Sequence, residues 1–255
     1  MRVASLGSGS KGNATLLEAA GDYFLVDCGF GLKEIEARLR NRGVHPDELK
    51  GILVTHEHGD HIKGAPMLAN RYQIPLWTTY GTARHLKREV PTLHRFMPNT
   101  RLSLGQLEVE TVTVPHDSAE PSQFLFRHQG LTFGLLTDLG SITPRVRHAY
   151  HECQLLMLEC NHDPNMLQNG PYPPSLKRRV GGNFGHLSND QAAELLTCVN
   201  RSVLERVLVS HISEQNNDTA LALDTLAPVL DGTETDTEIL TQQDGCDWHV
   251  LRHGG

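Results

Sequence analysis

The residues best equipped for chemistry stand together in Thr55-His56-Glu57-His58-Gly59-Asp60-His61. Four candidate metal ligands, His56, His58, Asp60 and His61, fall within six residues. They follow Gly51-Ile-Leu-Val-Thr55, an apolar stretch that reads as a short buried strand. His56 and His58, two apart at a strand end, can reach one metal ion together. Asp60 and His61 turn away into the next helix and can serve a second. Imidazole and carboxylate suit zinc, manganese or iron rather than soft Cu(I) or hard calcium. A histidine-rich surface loop is the plainer reading, and the density of ligands directly behind an apolar strand argues against it. Fifteen histidines in 255 residues is a signal in itself, because imidazole is the commonest metal ligand and a neutral-pH proton carrier.

Something must position these groups. Residues 3–6, 14–19 and 23–27 read as short strands separated by Gly-rich turns. Residues 33–42 carry Ile35 and Leu39 at helical spacing; 62–72 form a second helix stopped before Pro75, and 81–89 a third ending ahead of Pro91. Three or four strands are expected within 101–114 and 122–136, then a short helix over 146–151 and a strand over 154–158. A helix over 189–199, N-capped by Ser188 or Asn189, precedes a strand over 206–210, a helix over 219–230 and one or two strands within 236–251. The Pro/Gly-rich stretch 169–174 reads as a loop, and no linker divides the chain. This order predicts one α/β domain over 1–255, built from two sheets.

Composition narrows the classes. The five cysteines are scattered and show no C-x-x-C spacing, which predicts reduced thiols and a cytoplasmic protein. No apolar run approaches the ~18–20 residues of a membrane span, and the N-terminal residues lack the apolar core of a signal peptide. Net charge −7 argues against coating nucleic acid by bulk charge. The charges are unevenly spread, however. Seven basic residues and one acid lie between Lys63 and Arg101, and nine acids with no Lys or Arg between Glu214 and Asp247. Two solvated faces, or a basic patch for a polyanion with an acidic far side, both fit this pattern.

The H-x-H-x-D-H run resembles that of the metallo-β-lactamase superfamily, and counterparts of its other motifs follow in order. Pro115-His116-Asp117 follows a strand, Thr137-Asp138 follows the apolar run 131–136, and Ser210-His211 follows the strand 206–210. Either histidine alone would equally suit a capped strand end; their joint order carries the resemblance. Ser5-Leu-Gly-Ser-Gly-Ser-Lys-Gly-Asn13, Glu159-Cys-Asn-His-Asp163, Tyr172-Pro with Leu176-Lys-x-Arg179, Gly185-His-Leu-Ser-Asn189 and His211-Ile-Ser-x-x-Asn-Asn217 are similar to the YycJ/VicX/WalJ branch. That branch is related to the phosphodiesterases tRNase Z and PhnP. The resemblance implies an αββα four-layer sandwich of two mixed sheets flanked by helices. It also implies two divalent ions, one on His56, His58 and His116 and one on Asp60, His61 and His211, with Asp138 bridging.

The activity so implied is phosphodiester hydrolysis, with a hydroxide held between the ions attacking phosphorus and Asp60 orienting it. WalJ-type members are described as 5′-to-3′ exonucleases on double-stranded DNA, so duplex DNA is the expected partner, with no membrane and no obligate protein partner. His186, ahead of a helix, is similar to a phosphate-binding, proton-donating histidine of tRNase Z-like enzymes; a polar helix cap is its plainer role. Ser8, Ser10 and Asn13 in the first Gly-rich loop are candidate phosphate contacts, although a hairpin turn would use the same residues. Asn161 is a candidate substrate contact and, with Ser213, Asn216 and Asn217, a candidate for orienting ligands. His162 is divided between a substrate contact and a loop-stabilising role. Arg84, Lys87 and Arg88 are candidate contacts to backbone phosphates. Histidines 45, 85, 94, 128, 148, 151, 249 and 253 have no motif and are expected at the surface. The alternative function is a small-molecule hydrolase on the same fold, acting on a cyclic phosphodiester, thioester or lactone.

Overall fold

The structure is a computed structural model in which residues 1–252 are described. Its first half runs β1 (Arg2–Gly7), β2 (Ala14–Ala19), β3 (Asp22–Val26), α1 (Leu32–Asn41), β4 (Leu49–Leu53), α2 (Gly59–Ile62), α3 (Ala65–Tyr72), β5 (Leu76–Thr79), α4 (Tyr80–Ala83) and β6 (Leu93–Phe96). Then come β7 (Arg101–Leu104), β8 (Leu107–Thr113), β9 (Ser122–His128), β10 (Leu131–Leu136), α5 (Pro144–Ala149) and β11 (Leu155–Glu159). The chain continues through α6 (Pro164–Asn169), α7 (Pro174–Val180), α8 (Asn189–Thr197), β12 (Arg206–Ser210), α9 (Thr219–Leu230), β13 (Asp236–Ile239) and β14 (His249–Val250).

Two seven-stranded sheets result, in the orders β14-β1-β2-β3-β4-β5-β6 and β13-β12-β11-β10-β9-β8-β7. In the first, β14, β1, β2 and β3 pair antiparallel and β3 to β6 parallel. In the second, β7 to β10 pair antiparallel and β10 to β13 parallel. Successive side chains on a strand point to opposite faces, and here both faces are apolar. Phe24 and Val26 of β3 and Leu155 and Met157 of β11 join one cluster between the sheets. Leu25 on β3 and Ile52 on β4 turn instead toward Ile35, Leu39 and Leu68 of α1 and α3. Leu156, Leu158, Val207 and Val209 turn toward Leu195, Leu196, Ala222 and Leu226 of α8 and α9. Strands covered on both sides read as near-continuous apolar runs, and four layers result: helix, sheet, sheet, helix.

Several local expectations need correction. The helix expected over 62–72 is two pieces, α2 and α3, because the backbone there bonds outside the helix: Gly64 N–H donates to the Cys28 carbonyl at 2.7 Å, and the Asp60 and His61 carbonyls accept from Asn13 and Cys28. Of the helix expected over 81–89 only α4 forms; Arg84, Lys87, Arg88 and Glu89 are all exposed and offer no apolar face. The loop at 169–174 is flanked by two short helices, each with proline at its start, where the missing N–H costs nothing. β5 and β6, four residues each, are too short to show a period. His128, expected at the surface, is buried and its ring meets the Gln106 carbonyl. His253 lies outside the described residues.

Candidate metal centre

Six strands deliver chemistry to one rim. Asp27, Asp138 and His211 each directly follow a strand or stand one residue beyond it, at φ of 59°, 52° and 53°. This left-handed conformation swings the side chain across the strand ends, and Asp and His accept it more readily than bulky residues. His56, His58 and His61 follow β4 through the turn into α2, His116 follows β8, and Glu159 ends β11. α2 is clamped from below: Asn13 N–H donates to the Asp60 carbonyl at 2.8 Å and Cys28 N–H to the His61 carbonyl at 2.7 Å.

Two groups of donors form. In the first, His56, His58 and His116 converge, with His116 Nε2 3.2 Å from His58 Nδ1. His116 Nδ1 lies 3.0 Å from the Gly185 carbonyl, which fixes the proton on Nδ1 and leaves Nε2 a lone pair. Burial pushes His56 well below the usual imidazole range and His116 below it, so both stay neutral, as ligation requires. His56 Nε2 is fully buried and meets no hydrogen-bond partner, which costs about 1–3 kcal/mol. A cation at this point removes that cost.

The second group is rich in carboxylates. His61 Nε2 lies 2.9 Å from Asp138 and 3.6 Å from Asp60, and His211 Nε2 lies 3.5 Å from Asp60 and 3.6 Å from Asp138. Burial alone would lower both histidines. The carboxylate of Asp138 outweighs it, together with Asp27 and Asp60 at His61, which is held well above its usual range, and with Asp60 and Glu159 at His211, raised to about 10. Protons there occupy the place of positive charge that a divalent ion can take. Asp138 belongs with His56 and His61 as well as with His211, so it adjoins both groups. The donor set fits two divalent ions.

A layer of supporting contacts surrounds these donors. Asp27 meets His61 Nδ1 at 2.8 Å and accepts from Thr55 N–H at 2.8 Å. Glu159 meets His186 Nδ1 at 2.7 Å. Burial opposes ionisation of Glu159, but His186 and His211 overcome it and bring its pKa down to about 2. His186 is raised in return, the nearby carboxylates Glu159 and Asp138 outweighing its burial. Beside the donors lies a cleft of about 360 Å³, walled by Asp60, His186, Asn161, Tyr172 and Arg179.

Residues 22–212 match the model of the β-lactamase superfamily domain. This chain belongs to that superfamily. It is 34% identical over 231 residues to the exodeoxyribonuclease YycJ of Bacillus anthracis, covering 89% of this chain and 88% of that one. It is 33% identical over 224 residues to the exodeoxyribonuclease WalJ of Streptococcus pneumoniae serotype 2, covering 85% and 83%. The metallo-β-lactamase fold protein YhfI of Bacillus subtilis superposes with a TM-score of 0.75 at 15% identity, over 98% of this chain and 99% of that one. The two mixed sheets flanked by helices are the metallo-β-lactamase fold, and the protein is a metal-dependent hydrolase.

Within this β-lactamase-superfamily site, the structure brings together all seven donors expected from the sequence, and His186 beside them. Ser10 and Asn161 also face the cleft, and Asn161 Nδ2 donates to the His211 carbonyl at 2.9 Å. Ser8 and Asn13 are placed differently. Both are buried and off the cleft wall: Ser8 Oγ accepts from His211 N–H at 2.9 Å, and Asn13 holds Gly9 through its side-chain oxygen at 2.9 Å and its amide at 3.0 Å while its N–H donates to the Asp60 carbonyl. They support the backbone of His211 and Asp60. Arg84, Lys87 and Arg88 are exposed and likewise off the cleft wall. His162 is buried, with its carbonyl capping α8 through Asn189 N–H. Sequence reasoning missed Asp27, Glu159 and Arg179 as site residues. The last two stand in motifs it had singled out, whereas Asp27 ends a strand with no distinguishing neighbour.

Proposed function

We propose that the protein is a dinuclear phosphodiesterase acting as a 5′-to-3′ exonuclease on double-stranded DNA, in the cytoplasm. The observation that carries this reading is the likeness, over more than four-fifths of both chains, to two proteins named exodeoxyribonucleases. His56, His58 and His116 would hold one ion, Asp60, His61 and His211 the other, with Asp138 reaching both. Such ions supply Lewis-acid polarisation of a phosphoryl oxygen and a nucleophilic hydroxide near neutral pH. Asp60, at the cleft wall, is placed to orient the attacking water through a carboxylate oxygen. His186 is tied to Glu159 through Nδ1, which leaves Nε2 to give a proton to the leaving oxygen. The five unpaired thiols suit a reducing compartment.

The test is hydrolysis of 5′-labelled linear duplex DNA in Mn²⁺ by wild type and Asp60→Ala, with a closed circular control. Short labelled products from linear DNA alone, lost in the variant, are expected. Protein loaded with two metals that releases none would refute the exonuclease reading.

A further inference from the structure

The cleft is not symmetrical in charge. Among the described residues lining it, Arg179 carries the only guanidinium or ammonium group. The groove of about 740 Å³ that adjoins it at Ser10, Ile212 and Ser213 is unsuited to a polyanion. Its two cations, Lys11 and Arg38, share the lining with four acids, Glu34, Glu214, Asp218 and Asp244. Of these two adjoining cavities, the acidic groove therefore repels a phosphate chain, and the α7 side of the cleft offers it a guanidinium.

Arg179 is built to receive it. Its Nε donates to Asp117, the residue after His116, so the guanidinium is aimed while both terminal NH₂ groups remain for a ligand. Its side chain is 59% exposed. The end of α7 is locked to the metal centre. His186 N–H donates to the Val180 carbonyl at 2.9 Å, and a Cβ on Gly185 would lie 2.2 Å from the Arg179 carbonyl. That same Gly185 offers its carbonyl to His116. One short segment thus fixes Arg179, His186 and His116 relative to each other. Tyr172, on the approach to α7, adds an aromatic face to the same wall.

Resting on the nuclease reading, we infer that Arg179 clamps the phosphate next to the scissile one and Tyr172 stacks on the terminal base. The substrate is then a polynucleotide end, not an isolated diester. A planar guanidinium with its end-on pair of NH₂ groups free matches a phosphate bidentately, which lysine cannot reproduce. Every base has a π-face, so stacking grips an end without reading its sequence.

Steady-state kinetics of the metal-loaded protein on a 5′-phosphorylated duplex, at a series of salt concentrations, provides the test. Arg179→Ala should raise KM by about 10–100-fold, with the smaller share of the loss in kcat, as expected for a charged hydrogen-bonded contact. It should also flatten the salt dependence by about one charge. Arg179→Lys should restore the salt slope but not the full affinity. Tyr172→Ala should raise KM about tenfold, and Tyr172→Phe should recover most of that. On bis(p-nitrophenyl) phosphate, which has no second phosphate, the Arg179→Ala loss should be at least tenfold smaller than on DNA. Anisotropy of the labelled duplex with metal-free protein should show the same ranking of the variants. Lys50→Ala, at the far end of β4, measures the loss of any one surface charge. Equal losses on both substrates, or a salt slope no different from that of Lys50→Ala, would overturn the inference. Wild type that cleaves the small diester but not DNA would sink the nuclease reading itself, and this inference with it.

Discussion

Asp27 shows how a residue outside the metal-binding motif sets the site. Its carboxylate fixes the proton of His61 on Nδ1 and holds Thr55 through N–H and hydroxyl together. Asn accepts the same left-handed backbone, but both Asp27 oxygens accept, one from Thr55 N–H and the other facing His61 Nδ1, so Asp27→Asn removes the charge and turns one buried acceptor into a donor. Supporting partners of this kind are worth about 10–100-fold in metal affinity, and competition with a chromophoric chelator should show a loss of that size, while the unmatched buried donor, costing about 1–3 kcal/mol, should lower the melting temperature by a few degrees. A second expectation concerns pH. Histidine ligands must be neutral and carboxylates ionised to bind a cation. In the metal-free site the carboxylates around His61 and His211 favour their protonated forms, so acid strengthens the proton as competitor. Metal content after dialysis at pH 5 should fall well below that at pH 7.5, and equal retention would count against these histidines as ligands. At this scale the sequence was legible where ligands cluster in a run or stand beside a strand end. It was opaque for Asp27 and Glu159, single carboxylates that differ from surface acids only in what the fold packs around them. Ser8 and Asn13 were legible as important, and the structure places their side chains against the His211 and Gly9 backbone.

Most strands were read with nearly correct bounds because short apolar runs between turn residues mark strands covered on both faces, and α1, α8 and α9 because their apolar spacing is helical; β5 and β6 were not read as strands. The elements that misled were those whose identity comes from contact. α6 and α7 hide in a Pro-rich stretch, and their shortness leaves no periodic stripe. α7 matters for the site because it leads into the 182–185 loop. This loop packs against Gly140 so closely that a Cβ there would sit 2.4–2.6 Å from Gly185 N, Asn183 C and the Gly182 carbonyl oxygen. All three are backbone atoms, so the loop itself must move. Gly140→Ala is therefore expected to cost about 1–3 kcal/mol, as overpacking does, and to displace His186 and the Gly185 carbonyl from His116. Urea denaturation should report the first effect. The second should appear as a drop in kcat disproportionate to the small change in volume; an alanine variant with wild-type kcat would show that the loop does not set the geometry.

On the scale of the molecule, the two sheets make their donors in different halves of the chain. His56, His58, Asp60 and His61 follow β4 of the first sheet, and His116, Asp138 and His211 follow strands of the second. Metal-free, the rim brings buried Asp138 and Glu159 together with half-buried Asp60 at its cleft side and Asp27 close behind, and protonated histidines offset them. Two divalent ions would replace those protons and tie the strand ends of the two sheets together at this rim. Ligands that bind only the folded state stabilise it by mass action, about 2.7 kcal/mol at a hundredfold excess over Kd. For a chain of this size each kcal/mol moves the melting temperature by about 2–4 °C. Protein stripped with chelator and titrated with Zn²⁺ or Mn²⁺ should thus gain about 5–10 °C at that excess. Asp60→Ala, which leaves the three-histidine group intact, should keep only part of the gain. A shift in the variant equal to that of wild type would mean that the carboxylate-rich group takes no ion, and that one ion bound to His56, His58 and His116 accounts for the whole effect.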